Sequence, residues 1–116
     1  MSWNVFYSSK AQDDLKAIYE YIAFELLAPD TASNQVKRIM KSVKSLSEMP
    51  MRYKLYDDEP WKSKKLRCFS VNNYLVFFIP KEEEKAVNIV RIIYGGRDIT
   101  QQLEETTEFD TLRNAY

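Results

Sequence analysis

The chain has 116 residues, a length that fits one domain with a single hydrophobic core. Basic and acidic side chains balance at 17 each, so no overall charge directs the protein to nucleic acid or to a membrane. The apolar fraction of 45% and the aromatic fraction of 14% suffice for a packed core, which excludes a disordered chain. Histidine is absent, and one cysteine and two adjacent glycines exclude disulfides, multi-cysteine metal sites and glycine-rich nucleotide loops.

The sequence shows neither an export signal nor a membrane-spanning segment. Met1–Asn4 contains no basic residue, unlike the start of a secretory signal. The longest uncharged apolar run, Tyr74–Ile79, is far shorter than the roughly 20 residues that span a bilayer. A single cysteine, Cys68, is compatible with a reducing compartment. We therefore expect a cytoplasmic protein that does not contact a membrane.

The first half of the chain predicts one strand and two helices. Trp3–Tyr7 alternates apolar and polar side chains, as a short strand does. Ser8 or Ser9 can cap a helix whose apolar residues are spaced by three or four: Ala11, Leu15, Ile18, Ile22 and Leu26. Pro29–Thr31 breaks this helix and begins a second with the same spacing: Ala32, Val36, Ile39, Val43 and Leu46. Pro50 ends it, and the pair predicts an antiparallel helical hairpin.

The second half of the chain predicts a three-stranded antiparallel meander. Charged residues, Pro60 and Trp61 make Met51–Lys64 a loop. Strands are expected at Lys65–Val71, Tyr74–Ile79 and Val87–Tyr94. Continuous hydrophobicity suggests that the middle strand is buried on both faces. The charged segment Pro80–Lys85 joins the last two strands.

Gly95-Gly96 turns the chain out of the sheet, and a short helix is expected at Ile99–Leu103. The predicted fold class is α+β: an N-terminal strand, an antiparallel helical hairpin and a three-stranded meander, with the helices on one face of an antiparallel sheet. The first strand joins the sheet either at an edge or in the middle. We expect one domain at residues 1–103, followed by an acidic, flexible tail at residues 104–116.

The balanced total charge hides an uneven distribution. Between Ser33 and Arg67, ten basic residues stand against four acidic ones, whereas Asp98–Tyr116 holds five acidic residues and one arginine. Lysines neutralise phosphates and aromatic rings stack on bases, so such a basic region favours polyanion binding. Three lysines of the second helix either take part in this binding or form a solvated outer face: Lys37, Lys41 and Lys44.

Four basic residues lie where the loop enters the next strand: Lys62, Lys64, Lys65 and Arg67. Alternation along the strand places Lys65 and Arg67 on the face opposite Leu66. If the helices cover the Leu66 face, the pair projects from the open side of the sheet.

Two further arginines follow. Arg91 interrupts an apolar strand pattern, so it is either paired with an acid or on the open face. Arg97 follows the glycine turn, where Asp98 could hold it. Arg67, Arg91 and Arg97 therefore either converge as a cationic cluster or lie in separate surface ion pairs.

Candidates for acid–base chemistry are few. Without histidine, a nuclease would need Glu, Asp, Lys or Tyr as its base and arginine to stabilise the phosphate. Tyr74 and Tyr94 are available, as are the acids of Asp57–Glu59, but none lies in a catalytic motif. The Asp57-Asp58 pair is either a metal site or an exposed acidic loop.

Four segments carry a wider resemblance: Ala11-x-x-Asp14-Leu15-x-x-Ile18-x-x-Tyr21-Ile22, Leu46-x-x-Met49-Pro50, Leu66-Arg67-x-Phe69-x-Val71-x-Asn73-Tyr74-Leu75-Val76-Phe77, and Val87-x-Ile89-x-Arg91-Ile92-x-Tyr94-Gly95-x-Arg97-Asp98. Their order and spacing resemble the RelE/ParE superfamily of bacterial toxins, especially its ParE-like branch. The similarity runs from about Val5 to Leu103. It implies the same α+β sandwich of a helical hairpin on a sheet.

The resemblance implies the toxin of a type II toxin–antitoxin module, a growth inhibitor associated with plasmid stabilization and neutralised by a cognate antitoxin. Operator DNA would be bound only through the antitoxin. RelE-like members cleave messenger RNA in the ribosomal A site without a metal, whereas ParE-like members inhibit DNA gyrase and have no established hydrolytic chemistry. Neither mechanism implies a cofactor.

Some residues match the nuclease branch and others depart from it. Arg97 matches an arginine near the scissile phosphate, and Lys65 and Arg67 match a basic strand beside it. However, Leu75 stands where a catalytic arginine is expected, and Asp98–Leu103 lacks the tyrosine or histidine of the nucleases. We therefore expect a ParE-like gyrase inhibitor, with a RelE-like mRNA interferase or a toxin that only binds its antitoxin as alternatives.

The candidate residues divide by mechanism. Arg67 and Arg97 are catalytic only if the protein is a ribonuclease. The residues expected to bind the target or RNA are Lys62, Lys64, Lys65, Arg67, Arg91, Tyr94 and Arg97.

Overall fold

The computed structural model describes residues 2–106 and confirms the predicted α+β class. The elements in chain order are β1 (Asn4–Tyr7), α1 (Ser9–Glu20), α2 (Pro29–Lys44), β2 (Arg67–Val71), β3 (Tyr74–Lys81), β4 (Ala86–Tyr94) and α3 (Ile99–Glu104). Residues 104–106 belong to the folded unit, because α3 ends at Glu104 and Thr106 is buried. The rest of the predicted tail, 107–116, lies outside the described residues.

The four strands form one mixed sheet in the order β1-β4-β3-β2. The meander β2-β3-β4 is antiparallel as expected, whereas β1 lies at the edge and runs parallel to β4. The prediction of a wholly antiparallel sheet was therefore wrong for β1. Both helices and two strands separate β1 from β4, so no tight hairpin turn forces the two strands to run in opposite directions.

Helices α1 and α2 pack on one face of the sheet. The helical side of this core consists of Ala11, Ile39, Val43 and Leu46, and the strands contribute Phe69, Val71, Val76, Phe78, Val87, Ile89 and Ile92. The predicted apolar stripe of the second helix is confirmed, although Val36 is only half-buried.

The stripe of the first helix was wrong at its end, where Leu26 is exposed. A π-helical turn, Tyr21–Glu25, follows α1, and the Leu26 N–H donates to the Tyr21 carbonyl at 3.1 Å. Because a bond from residue i to i+5 adds one residue to the turn, the last position rotates off the buried face.

The face of the sheet opposite the helices is also covered. A second apolar cluster contains Trp61, Leu66, Phe77, Ile79, Val90, Ile93 and Leu103. The segment before β2 and helix α3 thus close this face, and β3 is buried on both sides as predicted. Since Leu66 packs here and not beneath the helices, the expectation that Arg67 projects from an open face was wrong.

A β-bulge in β4 changes the direction of its later side chains. Phe78 lies opposite Ile89 and Phe77 opposite Arg91, which leaves Val90 as an extra residue. As a result Ile92, and not Arg91, joins Ile89 in the core beneath the helices. The bulge therefore removes a charged side chain from the apolar interior.

Beyond the end of β1, side chains of Ser8 and α1 take over the hydrogen bonding to the backbone of β4. The Ser8 hydroxyl donates to the Val90 carbonyl at 2.9 Å, and the Asp14 carboxylate accepts the Ile92 N–H at 2.9 Å. The same carboxylate accepts from Arg91 Nε at 2.8 Å and Nη2 at 2.9 Å. Asp14 therefore pairs with a backbone amide and a guanidinium at once.

Arg91 also holds helix α3. Its Nη1 donates to the Gln102 carbonyl at 3.3 Å and to the Thr106 hydroxyl at 3.1 Å, and its Nη2 donates to Gln102 Oε1 at 3.1 Å. A single buried guanidinium therefore links α1, β4 and α3.

Of the helices within residues 2–106, none is both long and apolar enough to cross a membrane.

Replacing Asp14 by alanine should destabilise the fold strongly. The Arg91 guanidinium, with its side chain 6% exposed, would lose its only carboxylate partner among the described residues, and the Ile92 N–H would lose its acceptor. We expect a loss of about 3 kcal/mol in the free energy of unfolding, measured by urea denaturation. The matched control Asp13→Ala removes a neighbouring exposed carboxylate and should change stability by less than about 0.5 kcal/mol. Equal losses in the two variants would contradict the central role of Asp14.

Stability should also fall at alkaline pH because of Tyr7. Burial raises the pKa of its hydroxyl to about 12, from the ordinary tyrosine value of 10.0. The folded state then retains a proton that the unfolded state releases, so the free energy of unfolding decreases as the pH rises between these two values. Urea midpoints of the wild-type protein and Tyr7→Phe across this range check the assignment. The decrease should be smaller in Tyr7→Phe, and identical decreases would contradict it.

Candidate functional site

The three arginines predicted as a possible cluster do not converge. Arg91 is buried against Asp14 and α3. Arg67 lies on the edge strand β2, and its Nη1 donates to the backbone carbonyls of Met51 and Tyr53. Strand β3 lies between the two arginine-bearing strands, and the two side chains share no partner among the described residues. Neither alternative of the sequence analysis holds for Arg67, which pairs with backbone and not with an acid.

Arg67 fastens the segment before β2 to the sheet. A short antiparallel bridge pairs Leu55 with Arg67, and the Tyr53 ring stacks on Phe69 at 4.6 Å between centroids. The Arg67 Nε is buried and has no hydrogen-bond partner. Its guanidinium is therefore directed at the protein's own backbone and is only partly accessible to a ligand.

Arg97 is the exposed member of the three. It follows Gly95-Gly96, where the Gly95 N–H donates to the Asn73 carbonyl at 2.8 Å and the Arg97 N–H donates to the Tyr94 carbonyl at 3.0 Å. The expected contact with Asp98 was wrong. The Asp98 side chain instead accepts the Gln101 N–H at 3.1 Å and caps α3. The side chain of Arg97 is thus available to a partner.

Tyr94 precedes the glycine turn that carries Arg97, and its ring occupies space that the missing side chain of Gly96 leaves open. Its ring is 47% exposed and meets the Tyr74 ring at 5.7 Å between centroids. A Cβ atom at Gly96 would lie 2.6 Å from Tyr94 Cε2, so only glycine leaves room for the ring in this position. The turn therefore presents an aromatic ring and a guanidinium that are three residues apart in sequence and both exposed.

A shallow cleft of about 220 Å³ borders this turn. Its lining combines polar and apolar groups and consists of Ser70, Asn72, Asn73, Leu75, Tyr94, Gly95 and Gly96. Asn72 is fixed from α2, because Arg38 Nη1 and Gln35 Nε2 donate to its Oδ1 at 3.1 and 3.3 Å. The cleft thus brings together the β2–β3 turn and the end of β4.

The predicted lysines lie on a separate exposed turn. Lys62, Lys64 and Lys65 are exposed between the buried Trp61 and Leu66. The prediction that the strand begins at Lys65 was wrong, because Lys65 has a left-handed φ of 67° and β2 begins two residues later. The three lysines therefore lie before the sheet and not on its face.

The acidic residues of this turn are engaged with their neighbours. Asp57 pairs with Lys62 at 3.3 Å, and Glu59 accepts from the Ser63 hydroxyl at 2.6 Å. Within residues 2–106 no three histidine, cysteine, aspartate or glutamate residues lie close enough to hold a metal ion. Of the two alternatives for Asp57 and Asp58, the structure favours the exposed acidic loop.

Two groups that could act as a base or a nucleophile, Tyr74 and Cys68, have raised pKa values. Burial raises the pKa of the Tyr74 hydroxyl, and the nearby Tyr94 and Tyr21 raise it further. Burial also raises the pKa of the Cys68 thiol to about 11. Both groups are thus protonated at neutral pH, and the thiolate form needed for nucleophilic attack is scarce.

The sequence analysis missed an apolar surface at the tip of the helical hairpin. Four large side chains are exposed there: Tyr21, Phe24, Leu26 and Leu27. Leu27 is 82% exposed and has a left-handed φ of 55°. Phe24 and Leu27 lie outside the predicted apolar stripe of the first helix. Large apolar residues off the buried face were the sequence signal for this exposed surface. Exposed aromatic and apolar side chains on a small protein are typical of protein–protein contacts.

Comparison with known proteins places the chain in a family. The sequence model of the ParE toxin of the parDE type II toxin–antitoxin system matches residues 5–99. No curated protein matches significantly. Among solved structures, the chromosomal ParDE toxin–antitoxin system from P. aeruginosa is similar, with a TM-score of 0.67 and 23% identity over 80% of this chain and 96% of that chain.

Two further structures share the fold at lower identity. The RelBE2 toxin–antitoxin complex from Mycobacterium tuberculosis matches with a TM-score of 0.59 and 17% identity, over 81% of this chain and 92% of that chain. The isolated E. coli RelE toxin matches with a TM-score of 0.51 and 10% identity, over 89% of this chain and 95% of that chain. Because the family match spans most of the chain, this protein belongs to the ParE toxins of type II toxin–antitoxin systems.

Proposed function

We propose that this toxin acts in the cytoplasm by binding and inhibiting DNA gyrase, and that it does not cut RNA. The observation that carries the proposal is the engagement of two of its three candidate arginines by the fold. Arg91 is 5% exposed and paired with Asp14, and Arg67 donates to backbone carbonyls. Only Arg97 is left to approach a phosphate.

A nuclease centre needs more than one exposed cation. Cleavage of a phosphodiester requires a proton acceptor for the attacking hydroxyl and several donors for the charge on the phosphate. Leu75, which lines the cleft, occupies the sequence position at which the nuclease branch carries an arginine. Burial raises the pKa of the adjacent Tyr74 hydroxyl. These features support a toxin that works by binding.

A binding mechanism makes use of the exposed surfaces. Tyr94 and Arg97 at the glycine turn combine the residue types that dominate the energetics of protein interfaces. Lys62, Lys64 and Lys65 would contribute electrostatic attraction at the rim of the contact. We assign this surface to the target, and the apolar hairpin tip to the cognate antitoxin, since an apolar face of this kind must be covered in a stable complex.

Ribosome-dependent cleavage of messenger RNA is the second candidate. The exposed Arg97 favours it, since it follows the Gly95-Gly96 turn that lines the cleft, and an arginine there can meet a phosphate. A toxin that retains only antitoxin binding is the third, and it predicts no growth arrest.

Induction of the chain alone in a bacterial host separates these mechanisms. Gyrase inhibition should stop thymidine incorporation early, while amino-acid incorporation continues at first. Arg97→Ala should weaken the arrest, because it removes the exposed guanidinium and touches no hydrogen bond of the fold. Lys16→Ala, an exposed cation on α1, is the control and should leave the arrest unchanged.

The opposite order of events would contradict the proposal. Early loss of amino-acid incorporation with continued DNA synthesis would make the protein an mRNA interferase, with Arg97 as a catalytic candidate. If neither process stops, although the protein is folded and present, the chain has lost its toxicity.

A further inference from the structure

The outer face of helix α2 carries three lysines that the gyrase-binding surface does not use. Lys37, Lys41 and Lys44 are all exposed. Across residues 2–106, none of their ammonium groups makes a hydrogen bond or ion pair. The whole chain has a formal net charge of zero, so the row belongs to the basic segment between Ser33 and Arg67 and not to a generally basic protein.

The three lysines form a straight row. At 3.6 residues per turn they fall within an arc of about 60° on the helix, directly opposite the buried Ile39 and Val43. The rise of the helix spreads them over about 10 Å along its axis. A row of this length, with long and flexible lysine side chains, can reach neighbouring phosphates along one strand of a nucleic acid.

Helix stability alone does not account for this arrangement. Lys37 and Lys41 lie four residues apart, a spacing at which like charges repel and destabilise a helix. Cations in the last turn interact favourably with the helix dipole, which explains Lys41 and Lys44. Lys37 lies two turns from the end of α2, beyond the reach of that effect. The only acidic residue of the helix, Asp30, is in the first turn.

The chemistry of the row favours a nucleic acid over a protein partner. Lysine is depleted at protein–protein interfaces, whose centres are apolar and aromatic. Met40 is the one large apolar side chain exposed on the described length of α2, and it lies at the flank of the row. Phosphate contacts, by contrast, need only cations placed along a line.

We propose that Lys37, Lys41 and Lys44 bind successive phosphates of a nucleic-acid backbone without reading its sequence. The contact lies on helix α2, whereas Arg97 follows strand β4. It therefore adds a second binding surface to the toxin, through which the protein itself contacts nucleic acid.

Salt-dependent binding to a short fluorescent DNA duplex tests the proposal. In fluorescence anisotropy, the logarithm of the wild-type affinity should fall linearly with the logarithm of the salt concentration. The double variant Lys37→Gln/Lys41→Gln removes two phosphate contacts and should reduce that slope by about 1.8. The matched control Lys10→Gln/Lys16→Gln removes the same charge from α1 and should leave the slope unchanged. Circular dichroism establishes that all proteins are folded.

Other results would overturn the proposal. Equal changes of slope in both double variants would show a general charge effect, and absence of wild-type binding at low salt would exclude the site. Displacement of the duplex by poly-glutamate at equal charge concentration would assign the row to an acidic protein. A matched RNA duplex identifies the natural polymer: tighter binding of either duplex, lost in Lys37→Gln/Lys41→Gln, supports the proposal and names DNA or RNA.

Discussion

The Asp14 carboxylate is the contact on which the rest of the structure depends. Strand β1 ends at Tyr7, and β4 continues beyond it with an unpaired edge. Asp14 accepts the Ile92 N–H there and binds the Arg91 guanidinium, which in turn holds Gln102 and Thr106. A buried guanidinium without a carboxylate would cost several kcal/mol, so neither partner is dispensable. This pair positions α3 and the end of β4, and with them the turn that carries Arg97.

The allocation of arginines between fold and surface decides what the site can do. A guanidinium that donates to the protein's own carbonyls or carboxylate has few donors left for a phosphate. Arg67 and Arg91 are used in this way, whereas Arg97 and the lysines at Lys62, Lys64 and Lys65 remain exposed. Under the proposed function, this fold presents a binding surface in place of a catalytic centre without any change in topology.

Local periodicity predicted the regular elements and failed where geometry is irregular. The stripe of α2 could be predicted because the helix is uninterrupted, but the π-helical turn displaced Leu26 and the left-handed Lys65 delayed β2. Of the two alternatives for Arg91, pairing with an acid is confirmed by Asp14. Alternation could not give its direction, because the bulge at Val90 shifts the phase of β4. Its partner Asp14 lies 77 residues away, and no local spacing identifies such a pair. The Gly95-Gly96 turn that precedes Arg97, by contrast, was predicted from the sequence, although the contact of Arg97 with Asp98 was not found.

Two parallel assays test the proposed absence of a nuclease centre most directly. One measures supercoiling of relaxed plasmid by gyrase, and the other measures cleavage of messenger RNA on programmed ribosomes. The purified toxin should inhibit supercoiling, and the messenger RNA should remain intact at the same toxin concentration. Arg97→Ala should relieve the inhibition, and Lys16→Ala should not. Cleavage of the messenger RNA in the ribosomal A site, with supercoiling unaffected, would contradict the assignment of Arg67 and Arg91 to the fold alone.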